Sequence, residues 1–303
     1  MQNRFTNLAN LGLCAVTNEW NNLCVIPFFV NFVSIFKIGI MLRFLSFGSG
    51  SSGNCYYLES DGESIIIDAG VGIRTLKKYF HDYGINQAKI KSIFVTHDHT
   101  DHVAAVPALA AYLHVPVYAT PIVHERINTN FRIRNKIPKP LVRVVEKEDS
   151  IQVGSFTVCA FNVPHDSADC SGYTVSAGGK NFVIVTDCGR VTDRIVRSVH
   201  EADYLVLETN YDPEMLQNGR YPHYLKKRIV SSVGHLSNDM AARLLADEKP
   251  KRLQQLFLCH LSENNNTPQI VAQVIDEALR SYASEAVFHV LARRKPTGFF
   301  ELV

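Results

Sequence analysis

The chain has 303 residues, 46% of them hydrophobic and 20% charged, with a formal net charge of +2. That is enough chain for one large domain or two small ones, and too little net charge to imply a nucleic acid or a membrane as partner by itself. Seven scattered cysteines without a CxxC pair exclude a disulfide framework and suit a reducing compartment, so a cytoplasmic location is expected.

The first 40 residues stand apart. LCVIPFFVNFVSIFKIGIML, residues 23–42, approaches the length of a membrane span but is interrupted by Pro27, Asn31 and Lys37, and no basic region or cleavage site frames it as a signal peptide. The favoured reading of residues 1–40 is a non-native extension from a start assigned too far upstream, the native chain beginning at Met41. A membrane anchor is the alternative, and no stable membrane association is expected. Residues 41–303 then form a single domain.

From Met41 onward strands and helices alternate. LRFLSF, CYYLES, SIIIDAG, KSIFVT, PVYAT, FTVCAFN, GYTVSA, NFVIVTD, DYLVLET, LQQLFLCH and AVFHVLA are apolar runs bounded by turn residues and read as strands. Gly178-Gly179 marks a hairpin between two of them. Helical spacing runs through HVAAVPALAAYLH, NDMAARLLADE and TPQIVAQVIDEALRSY, the last with Thr267 as N-cap and Pro268 at its first position. Mixed elements of this kind predict an α/β class with helices covering sheets.

THDHTDH, residues 96–102, follows the apolar strand KSIFVT, so His97, His99, Asp101 and His102 emerge together at a strand end. Such a density of imidazoles and carboxylates is metal-ligand chemistry suited to zinc, manganese or iron. Asp187 and Cys188 are neighbours on a strand end, so only one of them can face such a site.

HDHTDH resembles the signature of the metallo-β-lactamase superfamily, and the resemblance spans nearly everything from residue 44 onward; it implies further ligands at later strand ends, matched here by His165 in FNVPHD, Asp187 in VIVTDCG and His260 in LFLCHLS, with Asp68 closing SIIIDAG earlier. It implies a four-layer αββα sandwich with a two-metal site on strand-end loops. It assigns His97, His99 and His165 to one ion, Asp101, His102 and His260 to the other, Asp187 between them, and Asp68 as a support behind the ligands. GSGSSGN, TDCG, LETNYD, GHLSN and CHLSENNN narrow the resemblance to the YycJ/WalJ-type exonucleases, which act 5′-to-3′ on double-stranded DNA. Glu208 and His235 resemble the pair that protonates the leaving oxygen in the phosphodiesterase branch.

The implied function is a binuclear phosphodiester hydrolase using two divalent ions, zinc or manganese, with DNA as substrate and RNA as the other candidate. Its catalytic residues are Asp101, Asp187, Glu208 and His235. The alternative is a thioester or lactone hydrolase of the glyoxalase II kind. Glycines and short polar side chains in residues 48–54 make Ser49, Ser51, Ser52 and Asn54 candidates for phosphate contact. FRIRNKIPKPLVR brings Arg132, Arg134, Lys136, Lys139 and Arg143 together without an acid, and Lys226, Lys227 and Arg228 form a second cluster; either could neutralise phosphates. Tyr56, Tyr57, Tyr211 and Tyr221 suit packing better than stacking on bases.

Overall fold

A computed structural model describes residues 42–302; the expectations for residues 1–40 fall outside them. Six strands open the fold: β1 (Leu42–Gly48), β2 (Cys55–Ser60), β3 (Glu63–Ile67), β4 (Ile90–Phe94), β5 (Val117–Ala119) and β6 (Val142–Val144). Seven more follow: β7 (Ser150–Val153), β8 (Phe156–Asn162), β9 (Ser171–Ala177), β10 (Lys180–Val185), β11 (Tyr204–Glu208), β12 (Gln255–Cys259) and β13 (Val287–Val290), before β14 (Phe300–Leu302) returns to pair with β1. They form two seven-stranded sheets, ordered β14-β1-β2-β3-β4-β5-β6 and β13-β12-β11-β10-β9-β8-β7. β3 to β6 run parallel, as do β10 to β13.

The helices α1 (Ile73–Asp82), α2 (Thr100–Val103), α3 (Val106–Leu113) and α4 (Pro121–Thr129) belong to the first sheet's connections. α5 (Asp193–Glu201), α6 (Pro213–Asn218), α7 (His223–Ile229), α8 (Asn238–Glu248) and α9 (Pro268–Ser281) belong to the second.

Alternation along the strands decides the layers. Phe44, Ile65 and Ile67 of the first sheet meet Phe182, Ile184, Val206 and Phe257 of the second in one buried cluster. Phe44 sits at its centre, 5.0 Å from the Phe182 ring and 4.7 Å from that of Phe257. The intervening Leu45, Phe47 and Ile66 face the other way, onto Leu76, Phe80, Leu109 and Val123 of α1, α3 and α4. Val183, Val185, Leu205 and Leu207 likewise pack on Ile195, Leu244 and Ile275 of α5, α8 and α9. A strand covered on both faces must be apolar at consecutive positions, which is why its sequence reads as an unbroken run. The result is the expected four-layer αββα sandwich.

Two details differ from the sequence reading. HVAAVPALAAYLH is not one helix: α2 stops at Val103 and α3 starts at Val106. Pro107 explains the break, since its ring would clash with the carbonyl of Val103 in a continuous helix. The sequence reading also leaves out the short edge strands β6, β7 and β14, which carry few core positions, and the helices α1 and α4 to α7. Thr267 and Pro268 do open α9, the Thr267 hydroxyl accepting from Ile270 N at 3.2 Å.

The turn after β3 docks directly on the HDHTDH segment. Ala69 N donates to His102 O at 2.8 Å, and Asn54 N donates to Asp101 O at 2.7 Å. Gly70 permits this approach, because a Cβ there would lie 1.6 Å from the Asp101 carbonyl oxygen, whereas one on Gly72 would meet nothing within 4 Å. Gly70→Ala is therefore expected to cost about 1–3 kcal/mol, and Gly72→Ala close to nothing. Urea denaturation of the two variants side by side checks this; equal midpoints would show that the close approach carries no strain.

Candidate metal centre

The carboxyl ends of parallel strands are where open α/β sheets place ligands, and here both sheets contribute. Asp68 follows β3, the HDHTDH segment follows β4, Asp187 follows β10, Glu208 ends β11 and His260 follows β12. Asp68, Asp187 and His260 have φ of +59°, +42° and +54°. Non-glycine residues enter that left-handed region only at a cost, which the surrounding packing must offset. Three such residues at three strand ends turn the chain abruptly where functional side chains are needed.

These turns bring the sequence-predicted residues together. Ligating atoms of His97, His99 and His165 lie within 4.8 Å of one another, and so do those of Asp101, His102 and His260. Asp187 lies among them: its Oδ2 is 3.0 Å from His102 Nε2, and its Oδ1 is 3.1 Å from His260 Nδ1 and 3.8 Å from His165 Nε2. Asp68 sits behind. Its Oδ2 is 2.7 Å from His102 Nδ1 and accepts from the Thr96 hydroxyl at 2.8 Å, while its Oδ1 accepts from Thr96 N at 2.8 Å. A carboxylate bound to Nδ1 fixes the tautomer and aims Nε2 at the centre. His165 is oriented the same way, its Nδ1 lying 2.8 Å from Gly234 O.

Glu208 and His235 also meet. Glu208 is fully buried and its four contacts satisfy it: Oε2 accepts from Cys188 N at 2.7 Å and Leu236 N at 2.9 Å, and Oε1 faces Nδ1 of His235 at 2.7 Å and of His260 at 3.0 Å. With Nδ1 of His235 engaged, Nε2 is its remaining ring nitrogen. The side chain keeps 20% exposure, unlike the buried imidazoles around it.

The donor set fits divalent cations. His97 Nε2 and His260 Nε2 are buried without a hydrogen-bond partner, a costly condition that a metal ion would relieve. Burial, with the neighbouring His102, drives His97 well below the ordinary imidazole range, and burial lowers His165 too, leaving neutral rings ready to coordinate. Burial opposes charge on His102 and His260 as well, but Asp187 and its fellow carboxylates outweigh it. His102 is held well above its usual value and His260 is pushed up to about 10. Those protons occupy the positions that cationic charge would take. His235 is raised against its own burial by Glu208 and Asp187.

The loop at residues 48–54 requires a correction. Ser49 Oγ is 2.9 Å from Tyr56 OH and accepts from His260 N at 2.9 Å, so it clamps the His260 backbone. Asn54 Oδ1 accepts from Gly50 N at 2.8 Å, and its Nδ2 is 2.9 Å from His102 Nε2. Both side chains are buried and turned inward, which removes them from phosphate contact; Ser51 and Ser52 remain exposed. Tyr56 and Tyr57 are likewise buried and belong to the packing. Cys188 faces away from Asp187, its Sγ reaching Arg190 O at 3.1 Å, and burial pushes its thiol far above the ordinary range.

The basic stretch splits. Lys136 donates to Ile127 O and Asn130 O, and Arg143 to Pro140 O and Val142 O, so both cap local backbone. Arg132 instead lines a cavity beside His99 and Asp101, together with Arg228 from the second cluster. Asp166 was missed by the sequence reading. It ion-pairs with Arg228, and its Oδ1 lies 3.3 Å from His165 Nε2 and 3.8 Å from His99 Nε2. Its place beside His165 in VPHD was the available signal. Among the described residues no helix is long and apolar enough to cross a membrane.

Comparison with known proteins agrees with this architecture. The family described as Beta-lactamase superfamily domain matches residues 63–260. Exodeoxyribonuclease YycJ of Bacillus anthracis is 33% identical over 240 residues, spanning 78% of this chain and 90% of that protein. Exodeoxyribonuclease WalJ of Streptococcus pneumoniae is 31% identical over 234 residues, spanning 77% and 86%. Among solved structures, the metallo-beta-lactamase fold protein YhfI from Bacillus subtilis aligns with a TM-score of 0.64 at 18% identity, covering 86% of this chain and 99% of that one, a likeness of fold. The strand-end histidines and aspartates, the αββα layers and these relatives converge: the chain belongs to the beta-lactamase superfamily, in its YycJ/WalJ-type group.

Proposed function

We propose that this protein is a metal-dependent phosphodiesterase of nucleic acids, an exonuclease that removes nucleotides from the 5′ ends of double-stranded DNA. The observation that carries this reading is the Glu208–His235 pair, 2.7 Å apart and set against the candidate metal centre. The names of the YycJ and WalJ relatives support DNA as the substrate. A cytoplasmic setting fits the free thiols of the five described cysteines.

His97, His99 and His165 would hold one divalent ion and Asp101, His102 and His260 a second, with Asp187 between. Two such ions, zinc or manganese, acidify a water and offset charge on the attacked group. The protein's own groups do the remainder. Asp101 and Asp187 orient the attacking water by accepting its hydrogen bonds. Glu208 holds the His235 ring by Nδ1 and favours its protonated form, so that Nε2 can deliver a proton to the departing sugar oxygen. An alkoxide is a poor leaving group, and general acid catalysis of that kind contributes roughly 10²–10⁴-fold. A thioester or lactone hydrolase would use the same metal donors with little need for the acid. The close Glu208–His235 pair favours the phosphodiesterase.

The test uses the purified full chain, manganese or zinc, and linear duplex DNA labelled at either end, with a thioester and a lactone in parallel. Label released first from 5′ ends as mononucleotides, and lost in His97→Ala, is the expected result. Thioester cleavage with intact DNA would overturn it. His235→Asn is expected to lower kcat on DNA by roughly 10²-fold or more, and to change hydrolysis of bis(p-nitrophenyl) phosphate much less, because nitrophenolate leaves without a proton. Equal losses on both substrates would remove His235 from the acid role.

Metal affinity has a defined pH dependence. His102 and His260, both raised, must shed protons to coordinate, so a cation competes with protons below their folded values and binds more tightly as pH rises. Calorimetric zinc titrations from pH 6 to pH 8 should show tightening affinity and proton release that scales with buffer ionisation enthalpy. Flat affinity would mean that these two rings do not coordinate.

A further inference from the structure

Of all the large hydrophobic side chains exposed among the described residues, Phe131 is the most exposed, at 86%. It is not on a loose loop. Asn130 N caps the end of α4 by donating to Arg126 O, Asn130 Oδ1 accepts from Arg132 N at 3.0 Å, and Ile133 N bonds Asn130 O at 3.1 Å. Ile133 itself is 4% exposed and packs with α4 in the core. The backbone is therefore anchored on both sides of a phenyl ring that is held out in water.

The surroundings give that ring a use. A cavity of about 500 Å³ is lined by His99 and Asp101 and by Phe131, Arg132 and Arg228. The Arg132 guanidinium lies 5.7 Å from the Phe131 ring centroid, and among the described residues no carboxylate forms an ion pair with it. Arg228 is held by Asp166, the neighbour of His165. A single exposed apolar residue is ordinary on a protein surface. An anchored aromatic ring beside the Arg132 guanidinium, sharing with Arg228 a cavity that reaches His99 and Asp101, is a different matter. Guanidiniums match phosphate oxygens bidentately, and an aromatic ring accepts any base because every base has a π face.

We propose that Phe131 is a stacking platform for an unpaired base at the end of a polynucleotide, with Arg132 and Arg228 contacting the flanking phosphates. This rests on the nuclease reading of the centre and adds how the strand is placed. Phe131 is a positioning residue: it holds the terminal nucleotide so that the adjoining phosphodiester lies at the centre. A paired terminal base would have to leave its helix to stack there, so frayed or overhanging ends engage more readily than blunt ones. A stacked base is selected by its face, so the platform itself is tolerant of sequence.

The test uses the full chain with manganese, DNA duplexes carrying a short 5′ overhang, and single-stranded RNA of the same sequence. Phe131→Ala is expected to raise KM by roughly 5-fold or more with kcat retained, and Phe131→Trp to restore it. Ile122→Ala, an exposed apolar change on α4 outside the cavity, is the control. An abasic terminal nucleotide should remove the difference between the wild type and Phe131→Ala. The DNA and RNA arms report which polynucleotide the platform serves. In parallel, quenching of a terminal 2-aminopurine is measured on the His97→Ala protein with and without Phe131→Ala. Quenching that depends on Phe131 supports the platform even if no strand is cleaved, an outcome that would defeat only the nuclease reading. Cleavage with no effect of Phe131→Ala, or a loss that persists on the abasic end, overturns the platform and leaves the nuclease. Neither binding nor cleavage overturns both.

Discussion

Everything at this centre depends on the charge of one buried carboxylate. Asp187 is 1% exposed and has four imidazoles within 3.8 Å: His102, His165, His235 and His260. A carboxylate removed from water is tolerable only when opposite charge and donors surround it. Here burial alone would raise its pKa, yet His260 and His102 hold it well below the ordinary carboxylate range. The anion at the middle therefore draws either protons or metal ions onto the rings around it. The positive φ at Asp187 is tolerated because the strand, the neighbouring helices and this charge arrangement determine its position together.

Glu208 couples the ring assigned to coordination with the ring assigned to proton transfer. One carboxylate oxygen, Oε1, serves Nδ1 of both His260 and His235, while Oε2 is fixed by two backbone N–H groups. Both rings are thereby set to present Nε2. They differ in what Nε2 finds: that of His260 is buried, 3.5 Å from Asp101 Oδ2, while His235 belongs to the partly exposed rim. The same acidic residue can orient the proposed ligand and the proposed acid because the two rings approach it from the end of β12 and from the turn before α8. Burial and exposure divide their labour, without any difference in residue type.

Much of this was legible in the sequence, for identifiable reasons. Strands buried on both faces advertise themselves as apolar runs, so the strand ends at which Asp68, His97, Asp187 and His260 stand were readable, while the grouping of Asp68, Asp187 and His260 with the HDHTDH segment came from the family resemblance. The cap of α9 was legible because Thr-Pro has local meaning. What was hidden depended on tertiary contacts. Ser49 and Asn54 look like loop donors until β1 and β2 bring them under His260 and His102, where their polar atoms are already engaged. FRIRNKIPKPLVR reads as one basic patch, but α4 needs Lys136 at its carboxyl end, and only Arg132 faces the centre. Asp166 carries no periodic signal; its role exists only because α7 brings Arg228 to it.

The segment that carries Arg228 and His235, the proposed acid, is tied to the His165 loop by backbone contact. His165 Nδ1 lies 2.8 Å from Gly234 O, and His235 N donates to Ile229 O at 2.9 Å. A Cβ at Gly234 would lie 2.1 Å from Ile229 O, and one at Gly189 would lie 2.5 Å from Gly234 N, so the turn closes only because both positions lack a side chain. Gly189 is the second residue after Asp187, and its N donates to Pro164 O at 2.7 Å, one residue before His165. The loops bearing Asp187, His165 and His235 thus share one seam of main-chain contacts. The proposed proton transfer needs His235 held at hydrogen-bond reach of the leaving oxygen, and a fixed backbone helps to hold it there. The seam fixes the backbone at His235 together with those at Asp187 and His165, so the proposed acid and the proposed ligands are positioned by the same contacts.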